Sequence, residues 1–276
     1  MTVRDIPAGM RLCTSAGWNQ LEEDWRFFLE SPGSGAFLAE KDGSAVGTAA
    51  FVRYDGLAWI AMMLVDPAER RSGIGAHLME QALGALKGER CVGLDATPLG
   101  EPLYRRYGLM NDYALVRTKA TVDAARFASI PTGDVRPMRE TDFLGVLARD
   151  REVFGADRGV LLASLLARAP ECAWIVPDAG GIRGYCFGRS GRLFYQLGPI
   201  VADDGGTARE LAAACLAQAS GRLFAIDAPR LDAEWLAWLE SVGFGVERPF
   251  VRMFVKGHVH PGVPARQYAI TGPEFA

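Results

Sequence analysis

From residue 66 to residue 76 the chain reads Asp66-Pro67-Ala68-Glu69-Arg70-Arg71-Ser72-Gly73-Ile74-Gly75-Ala76, a spacing of arginine and glycine that points to anion chemistry. An apolar run ends at Asp66-Pro67, and Ile74, Leu78, Ala82 and Leu86 then follow at helical spacing, so the loop joins a strand end to a helix start. At such a junction unpaired backbone N–H groups and the helix dipole converge on an anion. Gly73 and Gly75 allow close backbone approach, while Arg70 and Arg71 add positive charge, which makes a pyrophosphate the natural guest. No Gly-Lys-Ser/Thr follows, which excludes a P-loop. The third glycine of a dinucleotide fingerprint is missing, and the preceding sheet reads as antiparallel. The same residues would also serve as a solvated turn and helix cap.

The elements that must position this loop follow from periodicity. A short strand is expected near Val3 to Ile6, then helices over about 8–16 and 19–30, the second with Leu21, Trp25, Phe28 and Leu29 on one face. Strands 36–41, 45–53 and 57–65 form a meander turning at Asp42-Gly43 and Asp55-Gly56. After the helix over 74–87 come a strand at 90–95, a helix at 99–107 ending at Gly108, and a strand at 112–121.

The order then returns after a join at 124–133. A strand at 135–138 precedes helices at 140–150 and 157–168. Strands at 172–177, 182–189 and 192–201, a helix at 207–219 and a strand at 222–226 follow. Leu94-Asp95-Ala96 through Tyr107-Gly108-Leu109 is echoed by Ile226-Asp227-Ala228 through Val242-Gly243-Phe244, which indicates duplication.

Arg70-x-x-Gly73-x-Gly75 after Leu64-Val65-Asp66-Pro67 resembles motif A of the GNAT acetyltransferase superfamily, and the surrounding element order is also that family's. The resemblance covers about residues 3–121 and, more weakly, 133–256, as in two-domain members with a degenerate second domain. It implies an α/β fold with an α+β mixed sheet, built as two tandem GNAT-like acyl-CoA N-acyltransferase domains. Residues 1–125 would be the N-terminal domain with the acetyl-CoA loop, 133–257 the degenerate domain and 258–276 an extended, exposed tail carrying His258 and His260.

The resemblance also implies roles. Backbone groups of Met63, Leu64 and Val65 would pair with the pantetheine arm as an added strand where the sheet splays. Arg70, Arg71, Ser72, Gly73, Ile74, Gly75 and Ala76 would hold the pyrophosphate. Tyr104, four residues before Gly108-Leu109, would protonate the leaving CoA thiolate. The reaction implied moves an acetyl group from acetyl-CoA, a cosubstrate, to a primary amine of a small molecule by direct attack in a ternary complex. The alternative is a non-catalytic acyl-CoA sensor. The lesser alternative is Tyr104 as a core or rim aromatic, and Tyr107 is a weaker, off-register rival.

The general base stays open. The asparagine many members carry seven residues before the tyrosine is Thr97 here, and Trp59-Ile60-Ala61-Met62-Met63 lacks the carboxylate often found in that strand. Glu22, Asp24 and Asp95 are the candidates, with surface charge the simpler account of the first two and a capping or strand-end role an equal account of Asp95. A water relay is a further route. Trp18-Asn19 could contribute to the acceptor pocket, with Asn19 as a helix N-cap the simpler reading.

In the second repeat the loop position reads Ala202-Asp203-Asp204-Gly205-Gly206, where two aspartates would repel a pyrophosphate, and Leu239 stands at the Tyr104 position. That half is expected to be structural, with Trp174, Tyr195, Trp235 and Trp238 as core or interface aromatics. A net charge of −3 with mixed signs excludes a stripe for nucleic acid or a polybasic membrane segment. The start lacks a signal-peptide core and no apolar run spans a bilayer, so a cytoplasmic protein is expected. Five cysteines without C-x-x-C spacing read as buried thiols, Cys91 is not expected to be a nucleophile, and three histidines without helical pairing predict no metal. Oligomeric state is not specified by these patterns.

Overall fold

A computed structural model describes residues 1–258 and 260–276. Helices α1 (Ile6–Ser15) and α2 (Glu22–Glu30) precede strands β1 (Gly35–Lys41), β2 (Ser44–Tyr54) and β3 (Leu57–Val65). The turns between these strands take positive φ at Asp42, Gly43, Asp55 and Gly56, the backbone that suits two-residue hairpins. Then come α3 (Ile74–Ala85), β4 (Cys91–Ala96), α4 (Glu101–Arg106) and β5 (Leu109–Thr121). A short helix α5 (Ala125–Ala128) and strand β6 (Arg136–Pro137) lead into the repeat: α6 (Phe143–Phe154), α7 (Gly159–Arg168), β7 (Trp174–Asp178), β8 (Gly181–Arg189), β9 (Tyr195–Ala202), α8 (Gly205–Leu216), β10 (Leu223–Pro229), α9 (Ala233–Ser241) and β11 (Gly245–Val255). Strand β12 (Gln267–Ala269) lies near the end.

The strand expected near Val3 is a 3-10 turn over Val3–Asp5. The Asp5 carboxylate accepts from Thr2 N at 2.7 Å and Thr2 Oγ1 at 3.0 Å, and Pro7 then starts α1. Local capping wins over strand pairing here.

The described strands form one mixed sheet in the order β1-β2-β3-β4-β11-β5-β10-β9-β8-β7-β6, with β12 paired to β9. The last strand of each half has crossed over: β11 lies between β4 and β5, and β5 lies between β11 and β10. Apart from the edge strand β6, the order is palindromic about the β11/β5 ladder, as a duplicated unit gives when its final strands are exchanged.

Each crossing strand carries an arginine into the other half. Arg252 on β11 pairs with Asp95 on β4 through two hydrogen bonds of 2.9 and 2.8 Å, both side chains 0% exposed. Arg117 on β5 pairs with Asp227 on β10 at 2.7 and 2.6 Å. The two aspartates are those of the repeated Asp-Ala. Arg117 stands nine residues past Gly108 and Arg252 nine past Gly243, so the repeat extends to both partners.

Helices cover both faces. Strand β3 divides its side chains by alternation, with Trp59 and Ala61 in the cluster under α1 and α2 and Ala58 and Ile60 in that under α3. The first cluster runs on without a break into Phe154, Leu161 and Tyr185 of the second half, closing over Phe275. Trp235 and Trp238 stack at 5.0 Å on the other face, in the second half's own core.

From Gln267 onward the segment after β11 is packed rather than exposed, because it completes the interior, whereas Pro261, Val263 and Ala265 before it are exposed. Gln267 to Glu274 are buried except at Pro273, Phe275 stacks on Phe28 at 5.1 Å, and Arg158 donates to Ala276 O at 3.2 Å. His258 Nδ1 accepts from Val92 N at 2.9 Å. His260 lies against Phe254 and Tyr113, and burial, reinforced by Arg252, pushes its imidazole down to about 3.

Two stability predictions follow from these packed charges. Arg252→Met leaves Asp95 buried without its partner and is expected to cost about 3–5 kcal/mol in urea unfolding. Asp95→Leu with Arg252→Met removes both charges and should recover most of that loss; equal losses would mean that packing, not pairing, holds the strand. Since His260 stays neutral in the fold while an unfolded imidazole takes up a proton below about pH 6.5, stability falls as pH drops from there toward 3. Between pH 7 and 5.5 the protein should lose about 1 kcal/mol more than His260→Gln does.

Candidate active site

Strand β3 begins as a parallel partner of β4, with Leu57, Ala58 and Trp59 facing Cys91, Val92 and Gly93. Beyond Trp59 the ladder stops and the strands part. A bulge opposite Thr48 and Ala50 goes with this, where Met62 takes a φ of 52° and its carbonyl accepts from Thr48 Oγ1 at 2.8 Å. From Ile60 to Val65, β3 pairs with β2 on one side and has no ladder to β4 on the other.

At the far end of that edge, Val65 leads through a 3-10 turn (Pro67–Glu69) into the arginine and glycine loop. Arg71 has a φ of 66° and Gly73 a φ of 88°, with open space where a Gly73 side chain would start. Arg70, Arg71, Ser72 and Gly73 are exposed, and among the described residues neither arginine enters an ion pair. The nearby carboxylates are engaged elsewhere: Glu69 holds Lys41 at 2.9 Å and Asp66 caps Ala68 N at 3.0 Å. Ile74, Gly75 and Ala76 form the first turn of α3, whose N–H groups have no partner within the helix.

At the near end the parted strands open into a cleft of about 620 Å³. Met62 and Met63 of β3, Asp95 of β4, and Thr97 and Tyr104 at α4 line one side. Trp18 and Gln20 come from the turn before α2, Arg117 from β5, Arg248 and Phe250 from β11, and Pro273 and Glu274 from the last segment. Tyr104 is buried, its hydroxyl makes no hydrogen bond to another described residue, and burial pushes the phenol up to about 12. Tyr107 is tied to α3 instead, donating to Ala76 O at 3.2 Å and Glu80 Oε1 at 2.8 Å.

The carboxylates sort differently from the sequence expectation. Glu22 is exposed on α2, outside the cleft lining. Asp24 is not a surface charge: it is 0% exposed, accepts from Arg168 at 2.8 Å and Arg189 at 3.0 Å, and caps Leu21 N at 2.9 Å. Asp95 lines the cleft but both its oxygens hold Arg252; burial pushes its pKa up and the guanidinium opposes this. Asn19 is not an N-cap either. Its side chain binds the backbone of Leu193 and Phe194 at 2.8 and 3.0 Å, pinning the β8–β9 loop of the other half beside the cleft.

Sequence reasoning missed Glu274, Arg117, Arg248 and Phe250. Glu274 accepts from Gln20 Nε2 at 2.9 Å and from Arg189. Only extension of the repeat past Gly108 and Gly243 carried a signal, and it reaches Arg117 alone of these four.

In the second half β9 and β10 part in the same way, pairing only through Tyr195 and Gln196 with Phe224 and Ala225. That slot is filled. Strand β12 pairs Gln267 and Ala269 with Val201 and Ile200, and Ile270 N donates to Asp227 O at 2.9 Å. The approach is so close that a side chain on Gly198, whose φ is 157°, would collide with Ile270 O. At the loop position Asp204 caps α8 through Thr207 N at 2.8 Å, Asp203 pairs with Arg149, and Leu239 is core. All five cysteines are buried, with Cys13 and Cys91 pushed up by burial to about 12 and 11.

The free edge of β3 thus runs between an exposed cationic loop at the head of α3 and a cleft lined by a buried phenol. Residues 9–109 match the model of the Acetyltransferase (GNAT) family and residues 146–269 that of an Acetyltransferase (GNAT) domain. The chain belongs to the GNAT acetyltransferases as a tandem member, and it is an acyltransferase of the kind that uses acyl-CoA. It is 25% identical over 202 residues to the uncharacterized N-acetyltransferase YitH of Bacillus subtilis (strain 168), covering 73% of this chain and 71% of that protein. It is 27% identical over 233 residues to the holothin acyltransferase of Pseudoalteromonas sp. (strain SANK 73390), covering 82% and 76%. In fold it is similar to a Pyrococcus horikoshii protein solved as a candidate acetyltransferase, with a TM-score of 0.82 at 21% identity over 100% of this chain and 94% of that one. Among the described residues no helix is long and apolar enough to cross a membrane.

Proposed function

We propose that this chain transfers an acetyl group from acetyl-CoA to a primary amine of a small molecule, by direct attack in a ternary complex, at a cofactor site in residues 1–125. Residues 133–257 act as a degenerate partner domain that walls the acceptor side. The observation that carries the reading is the unpaired edge of β3, which joins the cationic loop to the cleft holding Tyr104. The pyrophosphate sits on Arg70 to Ala76 at the head of α3, and the pantetheine arm pairs with Met63, Leu64 and Val65 as an added strand. The thioester then reaches the cleft. A cytoplasmic site of action accords with five buried cysteines.

The acceptor enters as an ammonium and gives one proton to water. Its nitrogen attacks the thioester carbonyl, the C–N bond forms, the C–S bond breaks, and the sulfur leaves as a thiolate. Tyr104 is protonated at neutral pH as any phenol is, and burial raises its pKa further, so its hydroxyl has a proton to deliver to the sulfur. The phenol is restored by the second proton the nitrogen loses. The products are the amide and free CoA thiol.

Isothermal titration of acetyl-CoA into the protein should show micromolar binding, and Ser72→Glu, which places a negative charge in the loop, should abolish it. Equal binding would move the site elsewhere; no binding to the parent chain would remove the reading. With an acceptor found by screening primary amines for thiol release, Tyr104→Phe should lower kcat by about 10²- to 10⁴-fold with acetyl-CoA affinity unchanged. A loss under about tenfold would take the proton from another source.

A further inference from the structure

Four charged side chains line the cleft, and three of them are neutralised. Asp95 is held by Arg252, Arg117 by Asp227, and Glu274 by Arg189. Arg248 is the exception: among the described residues it makes no ion pair and no side-chain hydrogen bond, and its Nε is buried without a partner. Its guanidinium carbon lies over the Phe250 ring, 4.9 Å from the centroid. Glu247 beside it is bound to Lys119 at 2.7 Å.

The backbone brings Arg248 to this place. The β11/β5 register slips at Glu247, so that Val246 faces Thr118 and Arg248 faces Arg117. Bulges of this kind redirect side chains, and they recur beside binding sites. Here the result sets two like charges directly opposite each other, an arrangement that destabilises a sheet unless a counterion intervenes. Burial, with Arg117 next, lowers the pKa of Arg248, and Glu247, Asp227 and Glu274 oppose this without forming an ion pair to it.

We infer that the acceptor of this enzyme is an amine that also bears a carboxylate, and that Arg248 binds that carboxylate while the amine faces Tyr104 across the cleft. This inference rests on the acetyl-transfer reading above. A single surplus positive charge matches a single negative one, and the planar fork of a guanidinium suits a carboxylate through two parallel hydrogen bonds. The second half thereby supplies specificity to a reaction carried by the first.

Matched pairs that differ only in the anionic group decide the question: β-alanine and β-alaninamide, phenylalanine and phenylalaninamide, phenylacetate and phenylacetamide. Binding to the full chain is followed by isothermal titration with and without acetyl-CoA, and thiol release from acetyl-CoA is followed for the amines. At least one acid should bind about tenfold or more tightly than its amide. Arg248→Gln should erase that preference, Arg248→Lys should keep part of it, and neither should lower acetyl-CoA affinity or Tm. An acid preference that survives Arg248→Gln, or no acid preference in any pair, overturns the proposal. A preference that depends on Arg248 but comes with no thiol release from any amine supports the anion site and counts against acetyl transfer.

Discussion

A buried arginine gives up its hydration, and a buried aspartate does the same; only a close, doubly hydrogen-bonded geometry offsets that cost. Two such pairs, Arg252 with Asp95 and Arg117 with Asp227, sit on the strands that cross between the halves, and each links a residue of one half to a residue of the other. A slipped register or a separated half would leave four charges buried without partners. The exchange therefore fixes how the halves meet, and the cleft inherits that geometry, since Arg248 and Phe250 lie on the same crossing strand as Arg252.

The duplicated fold presents the same parting of strands twice but leaves one of the two open. Beside β3 the edge is free, whereas beside β9 the chain's own β12 and Ile270 take the backbone partners. A strand already added cannot be displaced cheaply when its neighbours are as close as Gly198 is to Ile270. A loop position without arginines and a filled slot are thus two separate features of the second half.

What the sequence made legible was local. The Asp-Gly hairpins, the helix after Gly73 and, apart from the strand expected near Val3, the order of elements in both halves rest on patterns within a dozen residues, and the structure holds them with small changes of boundary. Pairings between distant residues left no such pattern. Asp24 reads as an ordinary acidic residue in a first helical turn until Arg168 and Arg189 fold over it. Asn19 reads as a cap until Leu193 and Phe194 claim its side chain. The segment after β11, rich in Pro and Gly, reads as a loop because its partners, Trp59 bonded to Pro273 O at 2.9 Å and Tyr54 to Phe275 O at 3.0 Å, lie more than 200 residues away. Glu274 reaches the cleft on that segment, which is why local spacing could not find it.

Burial acts in opposite senses on the groups around the cleft, and this bears on the unassigned base. It holds Tyr104 in its protonated form, the form that can donate. It pushes the pKa of Asp95 up against the opposing Arg252, and that guanidinium takes up both of the carboxylate's oxygens, as Arg189 and Gln20 hold Glu274. The same desolvation acts on an incoming ammonium and favours its neutral form, as it does for any buried amine. An acceptor drawn from water into this cleft is thus made easier to deprotonate by the environment itself. In the proposed reaction water at the cleft mouth would then take that proton, while Asp95 and Glu274 hold Arg252 and Arg189 in place.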